Sequence, residues 1–398
     1  MKKLNYILGA LLSISASMSG QRSIPVCTTP DMTQSIILLT CIERSDDEPI
    51  VEGEYSISDS TAVKFAHGNL LYQPSTGTWR IAPRQYDIVG GYCSQEPKGY
   101  HGTIWDSVTD PSTGKKKWTR CTNDNNHRAD YDGWIDLFAW GTSGWYGTEG
   151  DEDATADMSY RNAHNPKYKI TCNPYEVEPS SANWKLGNRG GQDFAGDYVN
   201  ADWGIFNNIM LGGKDTAIFR TPTYDEATYI LRDRKNARYL RGRGRIRLKG
   251  RNALGELDAR VPDTLINGLI ILPDEWDPSI LPEKVFKSDA EGCEYYSDNE
   301  YTAEEWDKIL EPQGAIFLPA AGAMGTGSNK AKSLKCNRSG LYWCATTEGT
   351  TSSKSWNMQF GGYGAANSDP HGECETRQYC RSVRLCIEIK SPAKRKKD

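Results

Sequence analysis

The sequence predicts an α+β fold, and three observations support this class. Two Ser/Thr-x-x-Glu capping boxes each open a short amphipathic helix, and two apolar runs bounded by Gly and Pro predict buried strands. The chain also holds 38 Gly and 19 Pro in 398 residues, which indicates many turns and long loops. Hydrophobic content is only 37%, but 12 Trp and 21 Tyr supply a large apolar area for a core.

The two helices and two of the strands can be placed on the sequence. The first capping box, Thr223–Glu226, opens a helix over Tyr224–Arg234, whose apolar stripe is Ala227, Ile230 and Leu231. The second box, Thr302–Glu305, precedes the apolar residues Trp306, Ile309 and Leu310. Gly268–Pro273 and Gly314–Pro319 are the apolar runs that predict buried strands.

The first twenty residues predict a secretory signal peptide, residues 1–20. Lys2 and Lys3 form the charged start, residues 6–14 are a short apolar stretch, and the residues up to Gly20 are mostly small. Nine apolar-leaning residues are too few to span a bilayer, and no later segment approaches eighteen continuous apolar residues. We therefore expect an extracellular or outer cell-surface protein without a membrane span.

Beyond the signal peptide, the chain divides into a linker, one domain and a tail. Residues 21–53 are mixed in character and predict a linker, whereas residues 54–389 contain no Pro/Ser-rich break and predict a single domain. Residues 390–398 form a basic tail. Leu38–Cys41 resembles a lipobox, so lipoprotein anchoring stays open as an alternative to free secretion.

Eleven Cys residues fit an oxidising destination, where disulfide bonds persist. The odd number leaves at least one thiol unpaired or intermolecular, and the spacing does not define the connectivity. No C-x-x-C pair occurs, so a zinc knuckle or a thioredoxin-like motif is not expected. Disulfide bonds are therefore predicted without assigned partners.

Seven segments, taken in order, resemble a known family. They are Val63–Gln73, Gly77–Arg80, Trp134–Gly144, Phe219–Thr223, Phe317–Gly322, Gly340–Thr346 and Arg381–Leu385. The series resembles the Fibrobacter-type major paralogous domain proteins, a family of secreted Bacteroidetes proteins, over roughly residues 54–389. That family is similar to the C-type-lectin-like fold and its sulfatase-modifying-factor branch. The resemblance implies a mixed, mainly antiparallel sheet, two short flanking helices and long loops that offer a binding face.

The sulfatase-modifying-factor branch includes oxidases that use a pair of Cys near the C-terminal end. Cys374 and Cys380 depart from that arrangement in spacing and position, which favours a structural disulfide or simple loop cysteines. The five His residues share no helical or metal-ligand spacing. We therefore expect no enzyme activity, no catalytic residues and no cofactor.

Calcium-dependent sugar binding is the second activity that the resemblance raises. The lectins of this fold use Glu-Pro-Asn or Gln-Pro-Asp with a Trp-Asn-Asp partner, because Ca²⁺ takes six to eight oxygen ligands. Here Glu311-Pro312-Gln313 and Trp356-Asn357-Met358 both depart from that pattern. The acidic run Asp151–Asp153 is more typical of a solvated loop. No metal site is predicted.

The strongest electrostatic feature is the segment Arg232–Arg251, with ten Lys or Arg residues and a single Asp. On a strand, alternate residues share one face, so the alternating cations would form a row; they are Arg241, Arg243, Arg245, Arg247, Lys249 and Arg251. Arg243, Arg245 and Arg247 are candidate ligands for a sulfated or otherwise anionic glycan or an acidic partner. The alternative is a charged edge strand that resists aggregation. Nucleic acid is not expected, because the chain is acidic overall and exported.

A second candidate surface lies near the C-terminus, in the stretch between Trp343 and Arg384. Its stacking and hydrogen-bonding groups suit ligand contact, and the candidate residues are Trp356, Asn357, Gln359, Tyr363, Asn367 and Asp369. Ordinary loop composition explains the same residues equally well. In C-type-lectin-like proteins diversified by retroelements, this stretch resembles the variable region, which would make the chain a display protein.

Two function hypotheses follow. The first is a secreted or cell-surface binding protein that contacts a glycan or a protein ligand through C-terminal loops. The second is a structural or adhesive subunit of a surface assembly, such as a fimbrial tip, whose odd Cys or exposed edge joins subunits. The sequence does not define the oligomeric state.

Overall fold

A four-stranded sheet contains both strands predicted from apolar runs. In a computed structural model, β7 (Arg241–Leu248), β8 (Thr264–Ile271), β9 (Glu300–Thr302) and β10 (Ile316–Pro319) are ordered β10-β8-β7-β9. The pairs β10–β8 and β8–β7 are antiparallel, and β7–β9 is parallel. The mixed, mainly antiparallel sheet of an α+β fold is therefore confirmed.

The structure describes only part of the chain. The described residues are 50–73, 76–88, 105–109, 116–120, 134, 136–143, 145, 193–209, 218–250, 257–260, 263–324, 333–334, 336–349, 354–361, 370–377 and 379–390. The predicted signal peptide, the lipobox, most of the linker and residues 391–398 of the tail lie outside them. Three candidate ligand residues also lie outside, namely Tyr363, Asn367 and Asp369. All described residues belong to one compact unit, residues 33–398.

Two further three-stranded sheets are antiparallel. The first joins the two ends of the domain: its strands are β1 (Tyr55–Ser56), β2 (Thr61–Phe65) and β16 (Cys386–Lys390), ordered β1-β2-β16. The second is C-terminal, with strands β13 (Ser339–Thr347), β14 (Lys354–Gly361) and β15 (His371–Thr376) in that order. Three two-stranded pairs complete the described strands: β3 (Leu70–Gln73) with β4 (Thr78–Ile81), β5 (Trp105–Thr109) with β6 (Lys116–Arg120), and β11 (Ala323–Met324) with β12 (Ser333–Leu334).

Both predicted helices are present, and both begin at complete capping boxes. The first is α2 (Tyr224–Thr228), capped by Thr223 and continued by a π-helical turn over Tyr229–Asp233. The second is α3 (Ala303–Glu305), capped by Thr302 and continued by a π-helical turn over Trp306–Leu310. Of the predicted stripe residues, Ile230, Leu231, Trp306 and Leu310 are buried, whereas Ala227 and Ile309 are part-exposed.

Other helical segments were not predicted. They are α1 (Trp203–Phe206) and the 3₁₀ turns Gly196–Ala201, Pro278–Ile280, Asp289–Glu291, Tyr296–Asp298 and Glu311–Gln313. None of the helices in the described ranges is long and apolar enough to cross a bilayer.

The N-terminal boundary of the domain lies a few residues before the predicted position. Val51 is buried, and its backbone N–H donates to the carbonyl of Phe65 at 2.9 Å. Gly53 packs against Gly314 so closely that a Cβ atom would lie 2.3 Å from the Gly314 carbonyl oxygen. Residues 50–53, assigned to the linker from sequence, therefore pack as part of the domain.

Arg384, in the last of the seven family-like segments, connects three parts of the core. Its guanidinium is buried, and it donates to the carbonyls of Ala66, His67, Gln85 and Phe317 and to Oδ1 of Asn69, at 2.8 to 3.3 Å. These bonds use all five N–H donors of the side chain. Burial lowers the pKa of Arg384 to about 10, so the guanidinium remains charged at neutral pH. Its function in the fold is structural.

Candidate binding site

The arginine row on β7 faces another part of the same chain. Arg241 and Arg243 are each 3% exposed. Arg241 Nε donates to Oδ2 of Asp289 at 2.7 Å, and Arg243 Nη1 donates to the carbonyl of Cys293 at 2.8 Å. Both partners lie in the segment that follows β8, so this segment covers the arginine face at its buried end.

The outer arginines of the row share a carboxylate. Arg245 Nε donates to Glu300 Oε2 at 2.6 Å, while Arg247 Nε donates to Glu300 Oε1 at 2.7 Å and its Nη1 to Asp263 at 3.1 Å. Partial burial raises the pKa of Glu300, but the bonds from Arg247 and Arg245 outweigh it and lower that pKa overall. Three arginines of the row therefore form internal ion pairs, whereas Arg243 bonds a backbone carbonyl. Lys249 is exposed beyond the end of β7, and Arg251 lies outside the described residues.

The edge-strand interpretation of the row is wrong for Arg245–Arg247, whereas the prediction that these arginines bind a ligand stays a prediction. Over Arg245–Arg247, β7 lies between β8 and β9, so it has a hydrogen-bonded neighbour on each side. The alternation therefore indicated the strand and the common face correctly. It did not indicate that Asp263, Asp289 and Glu300 complement that face, because those residues lie outside the basic segment.

The C-terminal candidates divide between the two faces of β14. Asn357 is fully buried, and its side chain donates to the carbonyl of Glu373 and accepts from Arg381. Because these bonds are internal, we leave Asn357 out of the proposed surface. Trp356 and Gln359 are both part-exposed. Trp356 lies on the opposite face from Asn357 and pairs across the sheet with Cys374.

Trp356 forms a stacked aromatic pair with Tyr224, the first residue of α2. The ring centroids are 4.0 Å apart and the planes are inclined by 20°. Tyr224 is part-exposed, and its backbone N–H donates to Thr346 Oγ1 at 2.9 Å. The pair thus joins the helix to the C-terminal sheet and leaves aromatic surface accessible at the junction.

Gly372 creates the space that Tyr224 occupies. A Cβ atom at position 372 would lie 2.0 Å from Cε2 of Tyr224, a distance that no side chain tolerates without movement of the ring. Glycine is therefore required on β15 for the tyrosine to lie against the sheet beside Trp356. The sequence did not single out Tyr224 or Gly372 as site residues. The one signal for Tyr224 was its position directly after the capping residue Thr223, at the start of the helix.

Polar residues neighbour Trp356 on the C-terminal sheet: Lys354 lies two positions before it on β14, and Cys374 pairs with it from β15. Lys354 and Glu348 are exposed, and the thiol of Cys374 is hydrogen-bonded to Glu348. Burial, followed by the nearby Glu348 carboxylate, raises the pKa of Cys374 to about 12. This thiol is therefore protonated at neutral pH and is a poor nucleophile. The surface combines aromatic rings with charged and hydrogen-bonding groups.

The residues considered for enzyme chemistry and metal binding have other partners. Cys374 is a free thiol and Cys380 is disulfide-bonded, so these two cysteines do not pair with each other. Glu311 belongs to the Glu-Pro-Gln sequence that departs from the calcium-binding motif. It is buried, and its Oε1 lies 2.5 Å from Nε2 of the buried His67. Within the described ranges, no cluster of three His, Cys, Asp or Glu side chains has the geometry to hold a metal ion.

No family model, curated protein or solved structure matches this chain. The resemblance to the Fibrobacter-type family therefore remains a prediction from the seven segments. Two of these segments, Trp134–Gly144 and Gly340–Thr346, meet in the core: Trp140 Nε1 donates to the carbonyl of Cys344, and Trp343 Nε1 donates to the carbonyl of Phe138, both at 2.8 Å.

Proposed function

We propose that the chain is a secreted or cell-surface binding protein with a C-type-lectin-like fold, and that it recognises a glycan. The observation that carries the proposal is the part-exposed, stacked pair of Tyr224 and Trp356 at the junction of α2 and the C-terminal sheet. The paired terminal strands, the mixed sheet and the two capped helices support the fold. The predicted signal peptide supports export.

The chemistry of the surface suits a sugar ring. The C–H face of a pyranose is apolar and packs on an aromatic ring, while its hydroxyl groups need hydrogen-bond partners around that ring. The Tyr224 hydroxyl, Lys354 and Glu348 offer such groups nearby. Tyr and Trp also lose little conformational entropy on binding, because each has only two rotatable side-chain bonds. The stack with Tyr224 further restricts Trp356 before a ligand arrives.

The test is an array of host and microbial glycans, including sulfated ones, probed with the domain at physiological salt. We expect selective binding that Trp356→Ala weakens by about thirtyfold, the effect of a central aromatic contact worth about 2 kcal/mol. Tyr239→Ala is the matched control, because Tyr239 is an exposed tyrosine in the turn beyond the other end of the helix. A blank array with folded protein contradicts the proposal.

One observation favours the alternative, a subunit of a surface assembly or a receptor for a surface protein. Among the described strands, β15 is at the edge of its sheet, and an edge strand can accept a strand from another chain. Under this alternative, the purified protein forms oligomers in gel filtration, and substitution of Pro for Glu373 on β15 reduces them. A monomer on non-reducing gels and in gel filtration argues against it.

A further inference from the structure

Strand β15 ends the C-terminal sheet with negative charge. Among the described strands it pairs only with β14, so its outer edge presents backbone N–H and C=O groups to which another strand can bond. Glu373 and Glu375 lie two residues apart, on the face of the sheet opposite Trp356. Glu373 is exposed and forms no ion pair with a described residue, whereas Oε2 of Glu375 lies 3.5 Å from Nη2 of Arg381. The edge is therefore acidic.

This charge disfavours pairing of β15 with the β15 of a second copy. When a sheet continues across a twofold axis, each face of the sheet continues as well, so residues of one face oppose residues of the same face. The two longest antiparallel registers then place Glu373 opposite either Glu373 or Glu375 of the second copy. Like charges directly opposite each other destabilise a sheet. The strand that suits this edge therefore carries positive charge.

The hairpin of β5 and β6 contains a strand of that charge. Strand β6 has the sequence Lys-Lys-Trp-Thr-Arg, and the alternation of a strand places positions 116 and 120 on one face. Strand β5 contains Asp106 and no Lys or Arg, so β6 is the basic edge of the hairpin. Among the described strands, the hairpin has no third strand beside it. Because an isolated two-stranded hairpin is marginally stable in water, a third strand would stabilise it.

We propose that β6 of one copy of this chain pairs with β15 of the next copy. The contact joins two different surfaces, so it need not close on itself and can extend into a row of copies. With Glu375 opposite Lys116 in an antiparallel pair, Glu373 lies diagonal to both Lys116 and Arg120, within reach of long side chains. Backbone hydrogen bonds supply the affinity, and the charge pairs select the strand. The inference rests on the assembly alternative proposed above and names the strand that β15 accepts.

The experiment measures the mass of the purified full chain by gel filtration with light scattering over a range of concentrations. We expect wild-type oligomers that grow beyond a dimer as the concentration rises. Glu373→Lys and Arg120→Glu should each weaken association about three- to tenfold, because a cross-strand attraction becomes a repulsion. Glu304→Lys is the matched control, because Glu304 is an exposed glutamate on α3, outside both strands, and it should leave the masses unchanged.

The two charge changes combined in one chain separate a direct contact from a change in folding. Lys at position 373 then lies diagonal to Glu at position 120, so the combined variant should regain part of the association that each single variant loses. Unfolding of either strand would add to the loss and could not restore it. Arg120→Gln removes the charge without reversing it, and it should weaken association less than Arg120→Glu.

Three results overturn the inference. A wild-type chain that stays monomeric at every concentration lacks the contact. Oligomers that Glu373→Pro reduces and Arg120→Glu leaves unchanged would show that β15 accepts a different strand, in which case the assembly alternative stands without β6. Oligomers that Glu373→Lys strengthens would show that β15 pairs with another β15. Trp356→Ala should leave association unchanged, so failure of the glycan proposal gives a different result.

Discussion

The arginine row on β7 and Trp356 on β14 were both candidate ligand contacts in the sequence, and their surroundings in the structure differ. Three arginines of the row form ion pairs within the chain, from the buried Arg241–Asp289 pair to the Glu300 carboxylate that Arg245 and Arg247 share. The pair of Tyr224 and Trp356 keeps part of its surface exposed. A dense charge pattern therefore identified a set of internal ion pairs, and a single aromatic candidate identified a part-exposed stack of two rings.

The difference has a physical origin. Long guanidinium groups on one face of a strand require counter-charges or carbonyl oxygens when another segment covers them. Here the counter-charges come from residues 16 to 55 positions further along the chain. Stacked aromatic rings need no such neutralisation, so they can remain at the surface of a junction between elements.

The largest effect on stability is expected when the buried end of the arginine row loses a guanidinium group. Arg241→Met leaves Asp289 as a buried carboxylate without its cation, and we expect a loss of about 3–5 kcal/mol in the free energy of unfolding. Urea denaturation measures it. Arg232→Met is the matched control at an exposed arginine and should change stability by less than about 0.5 kcal/mol. Equal effects at the two positions would show that the row is not an internal interface.

A smaller effect is expected at Gly372. Alanine there forces the Tyr224 ring away from β15, and overpacking of this kind costs about 1–3 kcal/mol. Near-UV circular dichroism reports the Tyr224–Trp356 stack, and we expect that signal to change together with glycan affinity. Wild-type stability, near-UV signal and glycan binding in Gly372→Ala would mean that the ring is not held as described.

The smallest expected effect is a change with pH in the stability that the ion pairs of Glu300 contribute. Because the pKa of Glu300 is lowered in the folded state, its ion pairs stabilise the protein above the unfolded pKa of about 4.5. That stabilisation is lost as the pH falls through the lower pKa that Glu300 has in the folded protein. Glu300→Gln should therefore cost about 1 kcal/mol at pH 7 and less at pH 3. Urea midpoints at the two pH values test this, and a difference as large at pH 3 as at pH 7 would contradict it.

The local parts of the fold could be predicted from the sequence. The capping boxes at Thr223 and Thr302 and the apolar runs that form β8 and β10 depend on residues a few positions apart, and all four are confirmed. The partners of those elements could not be predicted, because strand order depends on contacts between distant segments. The burial of Asn357 is a similar case, since Arg381 and Glu373 approach it from other segments.

The site was predictable only in part. Trp356 was selected for its residue type, and it lies at the proposed surface. Tyr224 was assigned to a helix start and not to a site, because its contact with Trp356 joins residues 132 positions apart in sequence. Gly372 has no side chain, so the sequence does not indicate that the Tyr224 ring occupies the space beside it.

The most direct test of the account compares the two surfaces on one glycan array. Wild type, Trp356→Ala and Arg247→Gln are probed in parallel at physiological salt, with sulfated glycans included. We predict that Trp356→Ala loses the wild-type signals and that Arg247→Gln retains them. Loss of binding in Arg247→Gln with retention in Trp356→Ala would assign recognition to β7 and contradict the account.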